Sequence, residues 1–174
     1  MSVLPIVMWP DARLREVCTP VAALDAALEK LIGDMFETMY DAPGRGLAAP
    51  QVGVMQQLFV MDATWKEGEM SPLACINPSI LPVGDVPSTN EEACLSIKGV
   101  AADVTRPNEI ELRYTDLNGA MVTASLEGFA AICAQHEMDH LEGHLFIEKL
   151  SLLKRKKFEK EFFGRKQFKD NIVE

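Results

Sequence analysis

The chain has 174 residues, 48% of them hydrophobic, a mean hydropathy near zero and a net charge of −9. This length predicts one domain, spanning 1–174, and the composition is typical of a globular protein that buries a core without staples. Four widely spaced cysteines do not suggest a disulfide scaffold, no run of 18 apolar residues exists, and the N-terminal residues lack a signal peptide's basic region. We therefore expect a cytoplasmic protein with no membrane contact.

The first part of the chain contains two predicted helices. A turn at Pro10 and Asp11 leads into a short helix at 12–15. Asp25 opens a clearer helix, because the apolar residues that follow recur every three or four positions. This helix is expected to end near Pro43, and its apolar stripe is expected to pack in the core.

The middle of the chain is predicted to form short strands. Apolar runs at 58–62 and 73–77, bounded by Gly, Ser and Pro, indicate buried strands. The proline-rich segment 78–90 is expected to be irregular or to lie at a sheet edge. Residues 91–97 are expected to be extended, with Lys98 and Gly99 turning the chain.

A hairpin and two helices are predicted for the rest. Residues 108–115 alternate polar and apolar side chains, as a half-buried strand does, and 116–119 turn the chain into a strand at 120–124. From Glu127 the pattern is that of a largely buried helix ending at Gly143. A last amphipathic helix begins near Ser151.

The C-terminal segment carries a charge opposite to that of the rest. Between Lys154 and Lys169 there are eight basic and two acidic residues, a net charge of +6, so the remainder of the chain carries −15. This basic tail, within the C-terminal helix and tail at 151–174, suggests contact with a polyanion. A solvated terminal helix is the alternative.

All three histidines lie within nine residues, at 136, 140 and 144. His136 and His140 are four apart, which places both imidazoles on one face of a helix. Two neutral imidazoles can bind a divalent metal, and Glu137 beside them can take a proton from water held there. This His-Glu-x-x-His pattern indicates a metal-dependent hydrolase.

The third ligand is not fixed by the helix. The metzincin pattern requires a histidine at the position of Phe146, and the gluzincin pattern requires a downstream glutamate, for which Glu159 and Glu161 stand in a lysine-rich segment. Cys94 is the better candidate, because a thiolate binds Zn²⁺ or Fe²⁺ strongly. Since 42 residues separate Cys94 from His136, the sequence alone does not prove this pairing.

Three blocks of the chain resemble, in order and spacing, the three signature motifs of the peptide deformylases of bacteria. They are Gly44-Arg45-Gly46-Leu47-Ala48-Ala49-Pro50-Gln51, Glu92-Ala93-Cys94-Leu95-Ser96 and Gln135-His136-Glu137-Met138-Asp139-His140-Leu141-Glu142-Gly143. The first block alone is weak evidence, because glycine-containing loops are common. The three together extend the resemblance over nearly the whole chain.

The resemblance implies an α+β fold in which short, mostly antiparallel strands surround a central metal-binding helix, with a C-terminal helix. It implies Cys94, His136 and His140 as ligands of one divalent metal, usually Fe²⁺ in this family, with Zn²⁺, Ni²⁺ or Co²⁺ able to replace it. It also implies hydrolysis of the N-formyl group from N-formylmethionyl nascent peptides, releasing formate.

The resemblance also implies roles for other residues. Glu137 would act as general base and then acid. The Gln51 amide and the Leu95 backbone N–H would stabilise the oxyanion. The remaining candidates would bind the substrate, the first three through the backbone and the others around the methionine side chain; they are Arg45, Gly46, Ala93, Phe129, Ile132 and Cys133.

The chain departs from the family pattern at several positions. Ala93 stands where glycine is usual, Lys98 where proline is common and Arg45 where an apolar residue is common. We expect these departures to alter preference at the substrate's second and third residues. The alternatives are a deformylase-like protein without activity and a His-Glu-x-x-His endopeptidase. We expect a monomer that contacts the ribosome through its basic tail, and His144 on the surface.

Overall fold

The computed structural model describes residues 2–164, and within this range the chain forms three α-helices and seven β-strands. The helices are α1 (Ala26–Asp41), α2 (Gly128–Leu141) and α3 (Leu152–Phe163). The strands are β1 (Gly46–Ala48), β2 (Leu58–Met61), β3 (Leu73–Pro82), β4 (Pro87–Cys94), β5 (Ile97–Pro107), β6 (Glu109–Thr115) and β7 (Met121–Glu127). Short 3₁₀-helices span Ala12–Arg15, Ala49–Val52, Trp65–Glu67 and Phe146–Lys149.

The strands form two antiparallel sheets. Five strands pair in the order β1-β2-β3-β6-β7, and β4 pairs with β5 in a separate two-stranded sheet. Helix α2 lies between these sheets and contacts β1, β2 and β5. The predicted α+β fold with a central helix and a C-terminal helix is confirmed.

The helix ends agree with the sequence. The side chain of Asp25 accepts a hydrogen bond from the backbone N–H of Leu28, so Asp25 caps α1. Helix α2 ends at Leu141, and Gly143 follows with φ of 76°, a left-handed conformation that favours glycine. Ser151 caps α3, as expected.

The predicted hairpin at 108–124 is β6 and β7. Thr115 pairs with Met121, and the Asp116 carboxylate accepts hydrogen bonds from the backbone N–H groups of Asn118 and Ala120, both at 2.8 Å. Gly119 adopts φ of 79° in this turn. The local hydrogen bonds of Asp116 therefore fix the register of the hairpin.

The segment 78–99 differs from the prediction. Residues 78–82 continue β3 past a bulge near Asn77, and β4 begins at Pro87. The chain turns at 95–96 rather than at Lys98 and Gly99, because Cys94 pairs directly with Ile97. Residues 98 and 99 instead lie in a bulge of β5, where the register shifts and Gly99 adopts φ of 78°.

The core consists of three clusters of buried apolar side chains. One lies between α1 and strands β1 and β2, and a second lies between α2 and the five-stranded sheet. The third joins β5 to α3 through Phe146, Phe158 and Phe162. All four cysteines are free and buried.

Within residues 2–164 no helix combines the length and apolar character that crossing a membrane requires. The basic tail is only partly described: α3 contains its first residues, including Lys154 and Lys160. Arg165, Lys166 and Lys169 lie outside the described residues.

Candidate metal and substrate site

Cys94, His136 and His140 meet where the end of β4 approaches α2. Their ligand atoms all lie within 4.8 Å of one another, and Cys94 Sγ is 3.3 Å from His140 Nε2. The histidines are one helical turn apart, and Cys94 is the last residue of its strand. The structure therefore brings Cys94, which is distant in the sequence, next to the two histidines of α2.

This donor set suits a divalent transition metal. One thiolate sulfur and two imidazole nitrogens are ligands that Fe²⁺ and Zn²⁺ accept, and three protein ligands leave a position open. Burial, with His136 and Arg106 nearby, lowers the pKa of His140 well below its usual value, which keeps this imidazole neutral, the form that binds metal. The residues present thus fit a metal ion.

A buried ion network holds the metal-binding histidine from behind. His136 Nδ1 donates to Glu92 Oε2 at 2.9 Å, and Arg106 donates to both oxygens of Glu92, at 2.5 and 2.9 Å. Arg106 also donates to Asp139 at 2.8 Å. Such contacts fix the orientation of a metal-binding imidazole.

The ion network also changes the pKa of Glu92. Burial by itself would raise this pKa, but hydrogen bonds from Arg106 and His136 lower it to about 2. Glu92 is therefore a carboxylate at neutral pH, and its charge is balanced by Arg106.

The sequence reasoning did not assign roles to Glu92, Arg106 or Asp139. A usable signal existed for Glu92, which precedes Cys94 by two residues on β4 and so lies on the same face of the strand. For Arg106 no local signal existed, because its partners are 14 and 33 residues away in the sequence.

Glu137 is buried next to the ligand cluster, with 4% of its surface exposed. Its Oε2 has no hydrogen-bond partner within residues 2–164, and burial raises its pKa to about 7 against the opposing effects of His136 and Arg106. A carboxyl group with this pKa can both accept and release a proton near neutral pH.

Gly46 provides the space for that carboxyl group. A Cβ at position 46 would overlap with the Glu137 carboxylate and lie 2.7 Å from its Cδ. Because β1 passes so close to α2, only glycine fits here without moving Glu137.

Gln51 is held in one orientation by its neighbours. Its Oε1 accepts from the backbone N–H of Ala48 at 2.8 Å, and its Nε2 donates to Ser96 Oγ at 3.1 Å and to Cys94 Sγ at 3.5 Å. The amide hydrogens therefore point toward Cys94 and the turn after β4, the turn that contains Leu95.

A cavity of about 470 Å³ opens beside these groups. The metal ligand His140 is buried beneath it and does not line it. Eleven of the twelve residues singled out from the sequence line this cavity: Arg45, Gly46, Gln51, Ala93, Cys94, Leu95, Phe129, Ile132, Cys133, His136 and Glu137.

Arg45 is held on the wall of the cavity by its side chain. The guanidinium donates to both carboxylate oxygens of Glu67, at 2.7 and 2.6 Å, and to the Ala63 carbonyl, and it lies 4.9 Å from the centre of the Phe129 ring. Its backbone carbonyl accepts from the N–H of Asp62 at 2.9 Å. The charged side chain is thus fixed rather than free in the cavity.

The positions at which related metal-hydrolase patterns place a third ligand do not add a ligand to this cluster. Phe146 is buried, and its ring stacks on His136 with centroids 5.8 Å apart. Glu159 and Glu161 form ion pairs within α3. His144 is on the surface, as expected, and pairs with Glu148 at 2.8 Å.

Comparison with known proteins identifies the family of this chain. The model of the polypeptide deformylase family matches residues 3–156. The peptide deformylase of Alkalilimnicola ehrlichii is 50% identical over 157 residues, covering 90% of this chain and 87% of that protein. That of Rhizobium meliloti is 47% identical over 155 residues, covering 89% of each.

A solved structure leads to the same family. The crystal structure of peptide deformylase from Ehrlichia chaffeensis in complex with actinonin has a TM-score of 0.88 and 38% identity, covering 95% of this chain and 99% of that one. Together with the match of the family model, these relatives show that the chain belongs to the polypeptide deformylases, the hydrolases that remove the N-formyl group from new polypeptides.

Proposed function

We propose that this chain hydrolyses the formyl amide of N-formylmethionine at the start of nascent polypeptides and releases formate. The observation that carries the proposal is a single one. Cys94, His136 and His140 bring their ligand atoms together beside the buried carboxyl group of Glu137, at one cavity.

The ligand set would hold one divalent metal, natively Fe²⁺. Fe²⁺ and Zn²⁺ both accept one sulfur and two nitrogen donors, and Ni²⁺ or Co²⁺ can replace them. When bound, the metal supplies Lewis-acid activation of the water that attacks the formyl carbon.

Glu137 moves the proton in this proposal. Its carboxylate accepts a proton from the attacking water and then donates it to the nitrogen of the departing methionine, as the C–N bond breaks. Formate and a free α-amino group are the products. The pKa of about 7 suits both steps, because neither protonation state is strongly disfavoured near neutral pH.

Gln51 and Leu95 donate hydrogen bonds to the oxyanion in this proposal. The Gln51 Nε2 group already points toward Cys94, because Ala48 fixes the opposite end of the amide. Leu95 follows Cys94 directly in the chain, so its backbone N–H lies beside the ligand. Donors fixed before the reaction stabilise the developing charge effectively.

The substrate would bind in extended form between two strand edges. Among the described residues, β1 is an edge strand of the five-stranded sheet and β4 pairs only with β5, so each strand has an edge without a strand partner there. Backbone at Arg45, Gly46 and Ala93 would pair with the peptide. The methionine side chain would fill the part of the cavity lined by Phe129, Ile132 and Cys133.

Metal analysis combined with formate detection tests this function. Protein purified without oxygen should contain one metal ion per chain and release formate from formyl-Met-Ala-Ser. Cys94→Ser should lower both the metal content and the activity. Full metal content in Cys94→Ser, with cleavage of internal peptide bonds, would instead favour an endopeptidase. Intact metal without formate release would favour a binding module.

We also propose that the chain acts as a single domain and a monomer in the cytoplasm, and that its basic tail binds ribosomal RNA. Lys154, Lys156 and Lys160 are exposed on α3, in accord with contact to phosphates. Ribosome binding should weaken with salt and should disappear when residues 151–174 are deleted. Binding that survives the deletion would contradict this role.

A further inference from the structure

Two lysine side chains stand at the solvent-exposed part of the cavity. Lys66 and Lys98 line it, and both are exposed. Lys98 also lines a second cavity of about 520 Å³, which shares Ala42 and Pro43 with the first. Lys98 therefore marks the place where the substrate cavity meets its neighbour.

Each lysine is positioned by its local structure. Lys66 Nζ donates to the Pro43 carbonyl at 2.6 Å and lies 5.5 Å from the centre of the Trp65 ring. Trp65 in turn donates to the Gly44 carbonyl at 2.8 Å. Lys98 is four residues after the ligand Cys94 and lies in the bulge of β5.

The charges of these lysines are not balanced within the described part of the chain. Over residues 2–164, neither Lys66 nor Lys98 forms an ion pair with a carboxylate, whereas Arg45 is paired with Glu67. Glu91 is the one exposed carboxylate among the described residues that line the cavity. Lys66 and Lys98 thus outnumber Glu91 at the opening of this cavity, whereas exposed Asp41 lines the neighbouring cavity that Lys98 also lines.

The course of the substrate places its second and third residues in this region. The formyl group must lie at Cys94 and Glu137, and the peptide continues along Arg45 and Ala93. Both lysines neighbour these strands, through the Pro43 contact of Lys66 and through the hairpin that carries Lys98. Side chains of an extended peptide alternate in direction, so the second or the third one faces the lysines.

We infer that Lys98, with Lys66, makes this enzyme prefer formyl-peptides with an acidic side chain at the second or third residue. The inference rests on the proposed deformylase function and assigns its substrate class. A carboxylate there would gain the attraction of two cations that have no carboxylate partner within residues 2–164, whereas a basic side chain would be repelled. The expected preference is modest, because exposed charges interact weakly.

Matched peptides test the preference on the metal-loaded enzyme. Formyl-Met peptides with a C-terminal amide, carrying Asp or its isostere Asn at the second or the third position, separate charge from shape. We expect kcat/KM to be about 2- to 5-fold higher for Asp in one of the two pairs at low salt. The difference should shrink in about 0.5 M KCl, because salt screens exposed charges.

Two variants decide whether Lys98 is responsible. Lys98→Glu should reverse the order within the Asp and Asn pair, and Lys98→Ala should reduce the ratio toward one. Arg113→Gln is the matched control, since Arg113 is an exposed cation on β6 that does not line the cavity. This control should retain the ratio of the unaltered enzyme.

The outcomes separate the inference from the function beneath it. Formate release from both members of each pair at equal rates, or faster release from the Asn peptides, would overturn the inference and leave deformylation intact. An Asp preference that persists in Lys98→Glu would also overturn it. Absence of formate from every peptide would overturn both.

Discussion

The charged groups beneath the metal ligands and those at the rim of the cavity differ in burial and in pairing. Beneath the ligands, Glu92 and Arg106 are buried and bound to each other and to neighbours in a fixed geometry. At the rim, Lys66 and Lys98 are exposed and have no carboxylate partner within residues 2–164. The buried charges hold the candidate metal ligand His136 in one orientation, whereas we propose that the exposed charges adjust the preference for substrates.

The largest effect is expected from Glu137, which lies between the two regions. Glu137→Gln preserves the volume of the side chain but removes proton transfer. Formate release should therefore fall by about 10²–10⁴-fold while the metal content stays unchanged. Glu142→Gln is the control, because Glu142 is exposed at the end of the same helix. A loss below tenfold for Glu137→Gln would exclude the assigned role.

Arg106→Met tests how much the buried ion network beneath the ligands contributes to stability and metal binding. The change leaves Glu92 and Asp139 without their cation, so the free energy of unfolding should decrease by about 3–5 kcal/mol. Metal affinity should drop by about 10–100-fold, because Glu92 would no longer be held against His136. Chemical denaturation and metal titration measure these changes. A loss of stability below 1 kcal/mol would show that the buried charges stabilise the fold no more than exposed charges do.

Acid should weaken the same buried network in the metal-free protein. The pKa of Glu92 is about 2 in the folded protein, whereas it has its usual value of 4.5 in the unfolded chain. The unfolded chain therefore binds more protons in this pH range. The contribution is complete above pH 4.5 and is lost as the pH falls toward 2; it amounts to roughly 3 kcal/mol. Urea denaturation over this range measures it, and Glu92→Gln should flatten the dependence.

Ala93→Gly tests whether the rim of the cavity influences selectivity, because Ala93 lines the cavity and is exposed. Removing one methyl group beside the substrate should change the relative rates on formyl-peptides that differ at the second and third residues, by up to about tenfold. Rates on a small panel of such peptides provide the measurement. An identical order and ratio of rates in both enzymes would show that the methyl group has no influence on selectivity.

The smallest effect is expected from the exposed ion pair of Arg45. Glu67→Gln removes its partner charge, and the free energy of unfolding should change by less than about 1 kcal/mol, because water screens the pair. The same denaturation experiment as for Arg106→Met gives a direct comparison. If the two variants lost equal stability, burial would not explain the difference between the regions.

Local features of the fold were predictable from the sequence. Asp25 and Ser151 cap their helices, and Asp116 organises its hairpin, because each interacts with backbone groups within four residues. The placement of His136 and His140 on one helix face was also predictable, because it depends only on their spacing of four residues in the sequence. Cys94 became a candidate through ligand chemistry, and the family resemblance selected it.

Features that depend on strand register were not predictable. The sequence predicts a turn at Lys98 and Gly99, whereas the turn lies at 95–96, because a lysine followed by a glycine is as typical of a bulge as of a turn. The contact between Glu92 and Arg106 joins β4 to β5 through long side chains, because Glu92 pairs with Ala102 and Arg106 pairs with Ser88, and no local pattern specifies it. Buried pairs distant in sequence are visible only once the sheet is known.

The two-residue turn after Cys94 links three parts of the reaction centre. It begins at a metal ligand, contains the backbone N–H assigned to the oxyanion, and presents Ser96 Oγ to the amide of Gln51. One extra residue inserted after Cys94 would leave both strands able to pair but would move the Leu95 N–H and the Ser96 hydroxyl, which contacts the Gln51 amide, away from their present positions. The two-residue length of this turn is therefore constrained by the reaction centre. Insertion or loop grafting here should impair the site even though the pairing of the strands alone would tolerate it.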